Sequence, residues 1–195
     1  MCPGRPLQFD PVTALEQAAE VFWAKGYEAT SLQDLLAATG LSKSSFYQAF
    51  ESKHRLFARV LVWFRERQVA RLRRALATAS SPRAFIAGAL RATAEEAGAG
   101  RTPKGCLIMN TASEFAGRDS EVATRVDDAI RAFAAVFEDA VRQAQACGEI
   151  APHQDPAALS RYVVTLMSGL RTMAKAGMPA EAIEEVVEVS LRALR

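Results

Sequence analysis

Apolar residues recur at intervals of three and four along most of the chain, and short breaks rich in glycine, proline and serine separate these stretches. That spacing places apolar side chains on one face of an α-helix, whereas a half-buried strand alternates apolar and polar residues. The chain shows no such alternation. The pattern therefore predicts an all-α fold.

Residues that begin and end helices set the predicted boundaries. Asp10 and Pro11 open the first helix and Gly26 ends it, because aspartate caps a helix N-terminus and glycine suits a C-terminus. Ser31 and Asp34 form a capping box for the second helix. The same signals predict helices over 32–38, 43–50, 53–79, 120–147, 156–175 and 179–194, with further helices beginning near residues 82 and 106.

The segment 26–57 carries the clearest functional pattern. Two short capped helices, joined by a turn at Gly40 and preceded by an amphipathic helix, form the arrangement of a helix-turn-helix over about residues 29–48. The second short helix of such a unit enters the major groove of DNA. Six polar residues suit that role: Ser42, Lys43, Ser44, Ser45, Tyr47 and Gln48. The alternative is a three-helix bundle that carries these residues without binding DNA.

Charge is distributed unevenly, although the net charge is only +2. Residues 1–75 carry 11 Lys and Arg against 7 Asp and Glu, whereas the remaining residues carry 13 against 15. A basic N-terminal part is compatible with a nucleic-acid partner on that side. No apolar run is long enough to span a membrane, and the N-terminus has no signal-peptide pattern, so we expect a cytoplasmic protein.

The same segment resembles the N-terminal domain of the TetR family of transcriptional regulators. The resemblance covers residues 4–57 and rests on short motifs in a fixed order: Gly26-Tyr27, Thr30-Ser31, Gly40-Leu41-Ser42, Phe46-Tyr47, Ser52-Lys53 and Leu56-Phe57. It implies a helix-turn-helix domain over residues 1–55 and a helical effector-binding and dimerisation domain over residues 56–195. It also implies a non-enzymatic regulator without cofactor or metal, usually a repressor, that a small-molecule or thiol-reactive effector releases from a palindromic operator.

The resemblance implies roles for individual residues. Thr30, Tyr47 and Lys53 would contact phosphates, and Arg5 would enter a minor groove as basic N-terminal arms do. Glutamine can bond adenine through both ends of its amide, which suits a base contact. The predicted base-facing residues are Lys43, Ser44, Ser45 and Gln48, and Ser31 and Ser42 complete the predicted DNA-binding set.

The last two predicted helices have apolar faces that are broad for a single neighbour. Members of the family bind DNA as two-fold dimers, so the resemblance implies a homodimer in which these helices form a four-helix bundle with their mates. The alternative is that both helices only close the core of the monomer.

Aromatic and methionine residues in the C-terminal part are candidates for an apolar effector pocket. The predicted ligand-binding residues are Met109, Phe115, Phe133, Phe137, Tyr162 and Met167. Each also fits a plain core position, because any buried helix face shows the same spacing. Coupling between this pocket and the DNA would run through the fourth helix, which joins both parts.

Cys106 is a candidate sensor of electrophiles or oxidants, since the family includes regulators that respond through a cysteine. It follows Lys104 and Gly105 at a predicted helix start, where unpaired N–H groups and nearby positive charge favour a thiolate. A small buried core residue is the alternative. The three cysteines are too scattered for a disulfide framework or a zinc site.

Two other classes of function compete with a regulator. An enzyme could use Cys106 with His153, or with the helix face shared by Asn110 and Glu114, but the sequence shows no third group that would orient a base. A helical interaction module without DNA affinity is the second. Salt-sensitive binding to duplex DNA separates a regulator from both.

Overall fold

The structure, a computed structural model, describes residues 10–100 and 102–194. Within these residues the chain is helical and forms no strand, which confirms the predicted fold class. The predicted helix order is also confirmed. The helices are α1 (Pro11–Lys25), α2 (Leu32–Thr39), α3 (Lys43–Phe50), α4 (Lys53–Thr78), α5 (Pro82–Gly98), α6 (Leu107–Phe115), α7 (Ser120–Ala146), α8 (Pro156–Lys175) and α9 (Ala180–Arg192).

Short polar side chains fix the helix N-termini. Asp10 accepts hydrogen bonds from the backbone N–H groups of Val12 and Thr13, each at 3.1 Å. The Ser31 hydroxyl accepts from the N–H of Asp34 at 3.1 Å, and the Asp34 carboxylate accepts from the N–H of Ser31 at 2.9 Å, which completes the capping box. A cap of this kind stabilises a helix by about 1 kcal/mol. These local contacts explain why the predicted boundaries are accurate.

Buried side chains form two clusters. The first, the N-terminal cluster, joins α1, α2, α3 and the first half of α4 to α6 and the beginning of α7. Its centre is aromatic: the ring of Phe57 lies 4.8 Å from that of Phe22 and 4.9 Å from that of Tyr27, between centroids. The ring of Phe115, at the end of α6, lies 5.0 Å from that of Tyr27. The helix-turn-helix region therefore shares its core with the middle of the chain.

The second cluster, the C-terminal cluster, joins α5, the second half of α7, α8 and α9. Phe85 and Phe137 stack at its centre with ring centroids 5.3 Å apart. The second half of α4 packs against it through Val69, Leu72 and Leu76. With 26 residues, α4 is about 39 Å long and reaches from one cluster to the other. Helices α4 and α7 thus connect the two clusters.

Candidate DNA interface and effector cavity

The turn between α2 and α3 gives α3 one buried and one exposed face. Gly40 ends α2 with a φ of 65°, a left-handed conformation that glycine adopts without strain. Phe46 and Phe50 are buried beneath α3. The opposite face is open to solvent and carries Lys43, Ser44, Tyr47 and Gln48. The structure therefore presents the predicted recognition helix with its polar side chains accessible.

Three serines at the beginning of α3 form one hydrogen-bonded group. The Ser42 hydroxyl accepts from the backbone N–H of Ser45 at 3.1 Å, which caps the helix. The same oxygen lies 3.0 Å from the Ser44 hydroxyl and 2.9 Å from the Ser45 hydroxyl. Since each hydroxyl offers one donor and two acceptor positions, Ser44 and Ser45 keep capacity for a further partner. Ser42 itself acts mainly as the cap.

Two residues predicted to contact phosphates bind the protein's own backbone. Thr30 is 1% exposed, and its hydroxyl donates to the carbonyl of Gly26 at 2.6 Å. This geometry argues against a phosphate contact through that hydroxyl. Lys53 donates to the carbonyls of Tyr27 and Thr30, each at 2.7 Å, so it retains one of its three N–H donors for a phosphate. The predicted Arg5 contact lies outside the described residues.

The end of α1 and the beginning of α2 are joined by a charged pair. Lys25 Nζ donates to the Asp34 carboxylate at 2.6 Å, and Ser31 donates to the same side chain through its N–H and its hydroxyl. The hydrogen bond from Lys25, followed by those from Ser31, lowers the pKa of Asp34 from 3.8 to about 2. Asp34 therefore carries its charge at every physiological pH.

A cavity of about 680 Å³ lies among α4, α5, α7 and α8. Three of the six predicted ligand-binding residues, Phe133, Phe137 and Met167, line it, and Cys106 lines it as well. Further lining residues that sequence reasoning missed include Trp23 from α1 and Phe64 from α4, which also face the N-terminal cluster. The cavity therefore touches both clusters.

The other three predicted ligand-binding residues lie elsewhere. Phe115 packs against Tyr27 and Phe57 with ring centroids 5.0 and 5.6 Å away, and Met109 packs against the same N-terminal cluster. Tyr162 is 38% exposed on the outer side of α8. Helical periodicity identifies buried faces, but it does not show which buried face borders an empty volume. These assignments to the pocket are therefore not supported by the geometry.

Part of the cavity wall is polar. The guanidinium Nε of Arg171 lies 3.6 Å from a carboxylate oxygen of Glu96, and this Nε is buried without a hydrogen-bond partner. Gln68, Arg71 and Ser168 also line the cavity. The sequence signal for these residues is weak, because charged and polar side chains are usually exposed. The cavity can therefore hold an apolar molecule and still offer it polar contacts.

Cys106 is the N-cap residue of α6, which confirms the predicted helix start. The thiol-bearing residue is 8% exposed and faces the cavity. Its neighbours hold the segment against α1: the Trp23 indole N–H donates to the carbonyl of Gly105 at 3.1 Å, and Lys104 forms an ion pair with Glu20. The charge of Lys104 is therefore directed toward α1.

Two family models match the chain. The model described as "Bacterial regulatory proteins, tetR family" matches residues 14–60, and the one described as "Tetracyclin repressor-like, C-terminal domain" matches residues 82–189. The second alone covers more than half of the chain. The chain belongs to the TetR family. As a member it is a DNA-binding transcriptional regulator, as the resemblance of residues 4–57 implies.

Similar TetR-family proteins extend over almost the full length. The HTH-type transcriptional repressor ComR of Escherichia coli (strain K12) is 30% identical over 190 residues, which are 97% of this chain and 90% of ComR. The uncharacterized regulator YezE of Bacillus subtilis (strain 168) is 31% identical over 98% of this chain and 99% of YezE. A solved structure of a CifR cysteine mutant, complexed with 26-base-pair operator DNA, is 32% identical with a TM-score of 0.81 and covers 98% of this chain and 100% of CifR.

Two of the side chains that an enzyme could use beside Cys106, Asn110 and Glu114, form hydrogen bonds with backbone groups in this TetR-family chain. Asn110 donates to the carbonyl of Lys104 at 2.9 Å, and Glu114 accepts from backbone N–H groups of the segment that follows α1. His153 is exposed in the connection between α7 and α8.

Within the described residues, no helix combines the length and apolar content needed to cross a membrane.

Replacing Asp34 by Asn tests the charged pair at the start of α2. A group whose pKa is lower in the folded state contributes stability above its unfolded pKa of 3.8 and loses this contribution as the pH falls through the folded value of about 2. We expect Asp34→Asn to unfold at lower urea concentration than wild type at about pH 6, with the difference shrinking between about pH 4 and about pH 2.

The matched control is Asp139→Asn, on the exposed face of α7, which should leave the urea midpoint unchanged. If Asp34→Asn unfolded at the wild-type urea concentration at about pH 6, the pair would contribute nothing to stability.

Proposed function

We propose that the protein is a transcriptional repressor that binds operator DNA as a homodimer and leaves it when an effector occupies the cavity. The observation that carries this proposal is the exposed polar face of α3 on a helix-turn-helix whose helices are capped. Two relatives support it: ComR is named a transcriptional repressor, and CifR is complexed with operator DNA.

In the proposed complex, DNA contacts come chiefly from α3. Tyr47, 46% exposed, donates its hydroxyl to a phosphate, and Lys53 adds its remaining N–H donor. Ser31 and Ser42 act through the helix caps that they form, and Arg5 enters the minor groove. Four residues face the base edges of the major groove: Lys43, Ser44, Ser45 and Gln48.

We infer that a second copy of the chain covers the outer faces of α8 and α9. Four large apolar side chains are exposed there: Tyr162, Met173, Val186 and Val189. Large apolar side chains left exposed on two neighbouring helices are typical of an interface, and four paired helices bury them as a bundle. Two recognition helices then read half-sites about 34–36 Å apart, or a multiple of that distance, so the operator is palindromic.

The cavity is proposed as the effector site. Its volume of about 680 Å³ suits a small organic molecule, since ligand pockets span roughly 300–1,000 Å³. Phe85, Phe137 and Met167 would contact an apolar body, and the Arg171–Glu96 pair would contact a polar group. Because Cys106 faces the same space, a thiol-reactive effector would modify it there.

The functional division follows the sequence prediction. We propose that residues 1–55 read DNA and that residues 56–195 bind the effector and form the dimer. The proposed place of action is the cytoplasm, where bacterial operator DNA lies.

Substitutions on α3 test the DNA contacts. Operator fragments are selected from genomic DNA with the purified protein, beginning with the DNA upstream of its own gene. We expect Gln48→Ala to weaken operator binding by about 1–3 kcal/mol without changing affinity for unrelated duplex, because a base contact is sequence-specific. Tyr47→Phe should weaken binding to the operator and to unrelated duplex alike, because a phosphate contact does not depend on the base sequence.

Gln143→Ala, on the exposed face of α7, is the control and should bind the operator as wild type does. If the wild-type protein showed no salt-sensitive affinity for any duplex, this result would contradict the proposed repressor function and favour an interaction module.

Val189→Glu tests the dimer. Val189 is 58% exposed on α9, so a carboxylate there leaves the monomer fold intact but cannot be buried against a second copy. We expect sedimentation at micromolar concentration to show a dimer for wild type and a monomer for the variant, with operator affinity lost. The control, Val12→Glu, changes a residue that is 54% exposed on α1 and should sediment as the wild type does. A monomeric wild type would refute the dimer.

Alkylation of Cys106 tests the thiol-reactive mode of release. In a Cys2→Ser/Cys147→Ser variant, Cys106 is the remaining thiol among the three cysteines. We expect iodoacetamide to add one carbamidomethyl group, detected by mass spectrometry, and to lower operator affinity at least tenfold, because the adduct occupies the cavity (a tenfold change is about 1.4 kcal/mol). The variant that also carries Cys106→Ser should keep its affinity; equal release of that variant would exclude Cys106 as the sensor.

A further inference from the structure

The segment between α1 and α2, residues 26–31, is bound on one side by the last turn of α6. We call this segment the α1–α2 turn. One carboxylate oxygen of Glu114 accepts the backbone N–H of Tyr27 at 2.9 Å, and the other accepts the N–H of Glu28 at 2.7 Å. Hydrogen bonds from N–H groups to an ionised carboxylate are stronger than those between neutral groups. Both oxygens of one side chain therefore hold two successive residues of the turn.

Gly26 allows this close approach. Its φ is 82°, and a Cβ built on it would lie 3.1 Å from one Glu114 carboxylate oxygen. A larger residue would strain the backbone there and press against the carboxylate. The first residue of the α1–α2 turn is thus shaped to receive Glu114.

The carbonyl groups of the same turn are bound from the opposite direction. Lys53, the first residue of α4, donates to the carbonyls of Tyr27 and Thr30, each at 2.7 Å. An anion from α6 therefore holds the N–H groups of the turn, and a cation from α4 holds its carbonyls. Because Ser31, the last residue of the turn, caps α2, the position of the turn determines where α2 begins.

Helix α6 connects this contact to the cavity. Its N-cap residue, Cys106, lines the cavity, and Glu114 lies in its last turn. The helix has nine residues, about 13 Å along its axis, so a displacement at one end moves the other. Ile108, on the same helix, is fully buried in the N-terminal cluster. An occupied cavity and the α1–α2 turn thus act on opposite ends of one short rigid element.

We propose that Glu114 is a positioning residue for operator binding: it holds the α1–α2 turn in the geometry that presents α3 to DNA, and through it α6 transmits occupancy of the cavity. This route is distinct from the coupling through α4 that the sequence predicts. The inference rests on the proposed function, since it concerns how operator binding is set and released.

The decisive variant is Glu114→Gln, which keeps the shape of the side chain. A glutamine has one acceptor oxygen and an NH₂ group, so it can accept from Tyr27 or Glu28 but not from both. We expect operator affinity about tenfold weaker, as loss of one charge-assisted bond implies, with the salt dependence unchanged because no phosphate contact is removed. Amide hydrogen exchange should become faster at Tyr27 and Glu28.

The control is Glu138→Gln on α7, where the carboxylate bonds only to Arg142 on the same helix among its described contacts, and its operator affinity should be unchanged. Operator binding by Glu114→Gln that equals wild type, with unchanged exchange at Tyr27 and Glu28, would overturn the inference, since a side chain that only fills space tolerates this replacement. If wild type itself binds no operator, it is the proposed function that fails, so the two failures are distinguishable.

Coupling is tested in the background in which Cys106 is the only thiol. We expect carbamidomethylation to lower operator affinity less in Glu114→Gln than in the parent, because the connection it acts through is already weakened. An equal fold-loss in both would show that the signal bypasses Glu114. Should Glu114→Gln fold poorly, as judged by circular dichroism, Glu114→Asp replaces it: the charge is kept but the shorter side chain reaches one N–H, and the same affinity and exchange changes are expected.

Discussion

Four aromatic rings set the position of the helix-turn-helix relative to the rest of the molecule. Phe22, Tyr27, Phe57 and Phe115 come from α1, the α1–α2 turn, α4 and α6, and neighbouring centroids lie 4.8 to 6.1 Å apart. Aromatic burial is a large apolar contribution, and close packing lets such rings shift only together. A change in α6 or α4 therefore alters the surroundings of α1 and α2 as well.

The helix-turn-helix could be predicted from the sequence because its signals are local. Asp10, Ser31 and Ser42 each cap a helix that begins at the next residue, and Gly40 adopts its left-handed conformation within the turn that it predicts. The exposed face of α3 followed from the same periodicity. Signals that act over a few residues need no knowledge of the tertiary fold.

The full lining of the cavity and the internal contacts of the turn could not be predicted, because they join residues far apart in the chain. Glu114 binds an N–H group 87 positions earlier, and its own neighbours carry no sign of that partner. Likewise, Lys53 looks like a free cation in the sequence, whereas the structure gives it two carbonyls. Met109 and Phe115, which the sequence also places at the pocket, are apolar and partly or fully buried, but the structure packs them against the N-terminal cluster.

The extent of the N-terminal cluster has a consequence for recombination between regulators. The N-terminal family model ends at residue 60, yet the cluster continues through Ile108 and Phe115 to Ala129. A chimera joined near residue 60 would place a foreign α6 against Phe22 and Phe57. The helix-turn-helix of this scaffold therefore depends on a complementary surface in the middle of the chain, and exchange between homologues should succeed only when both pieces are transferred together.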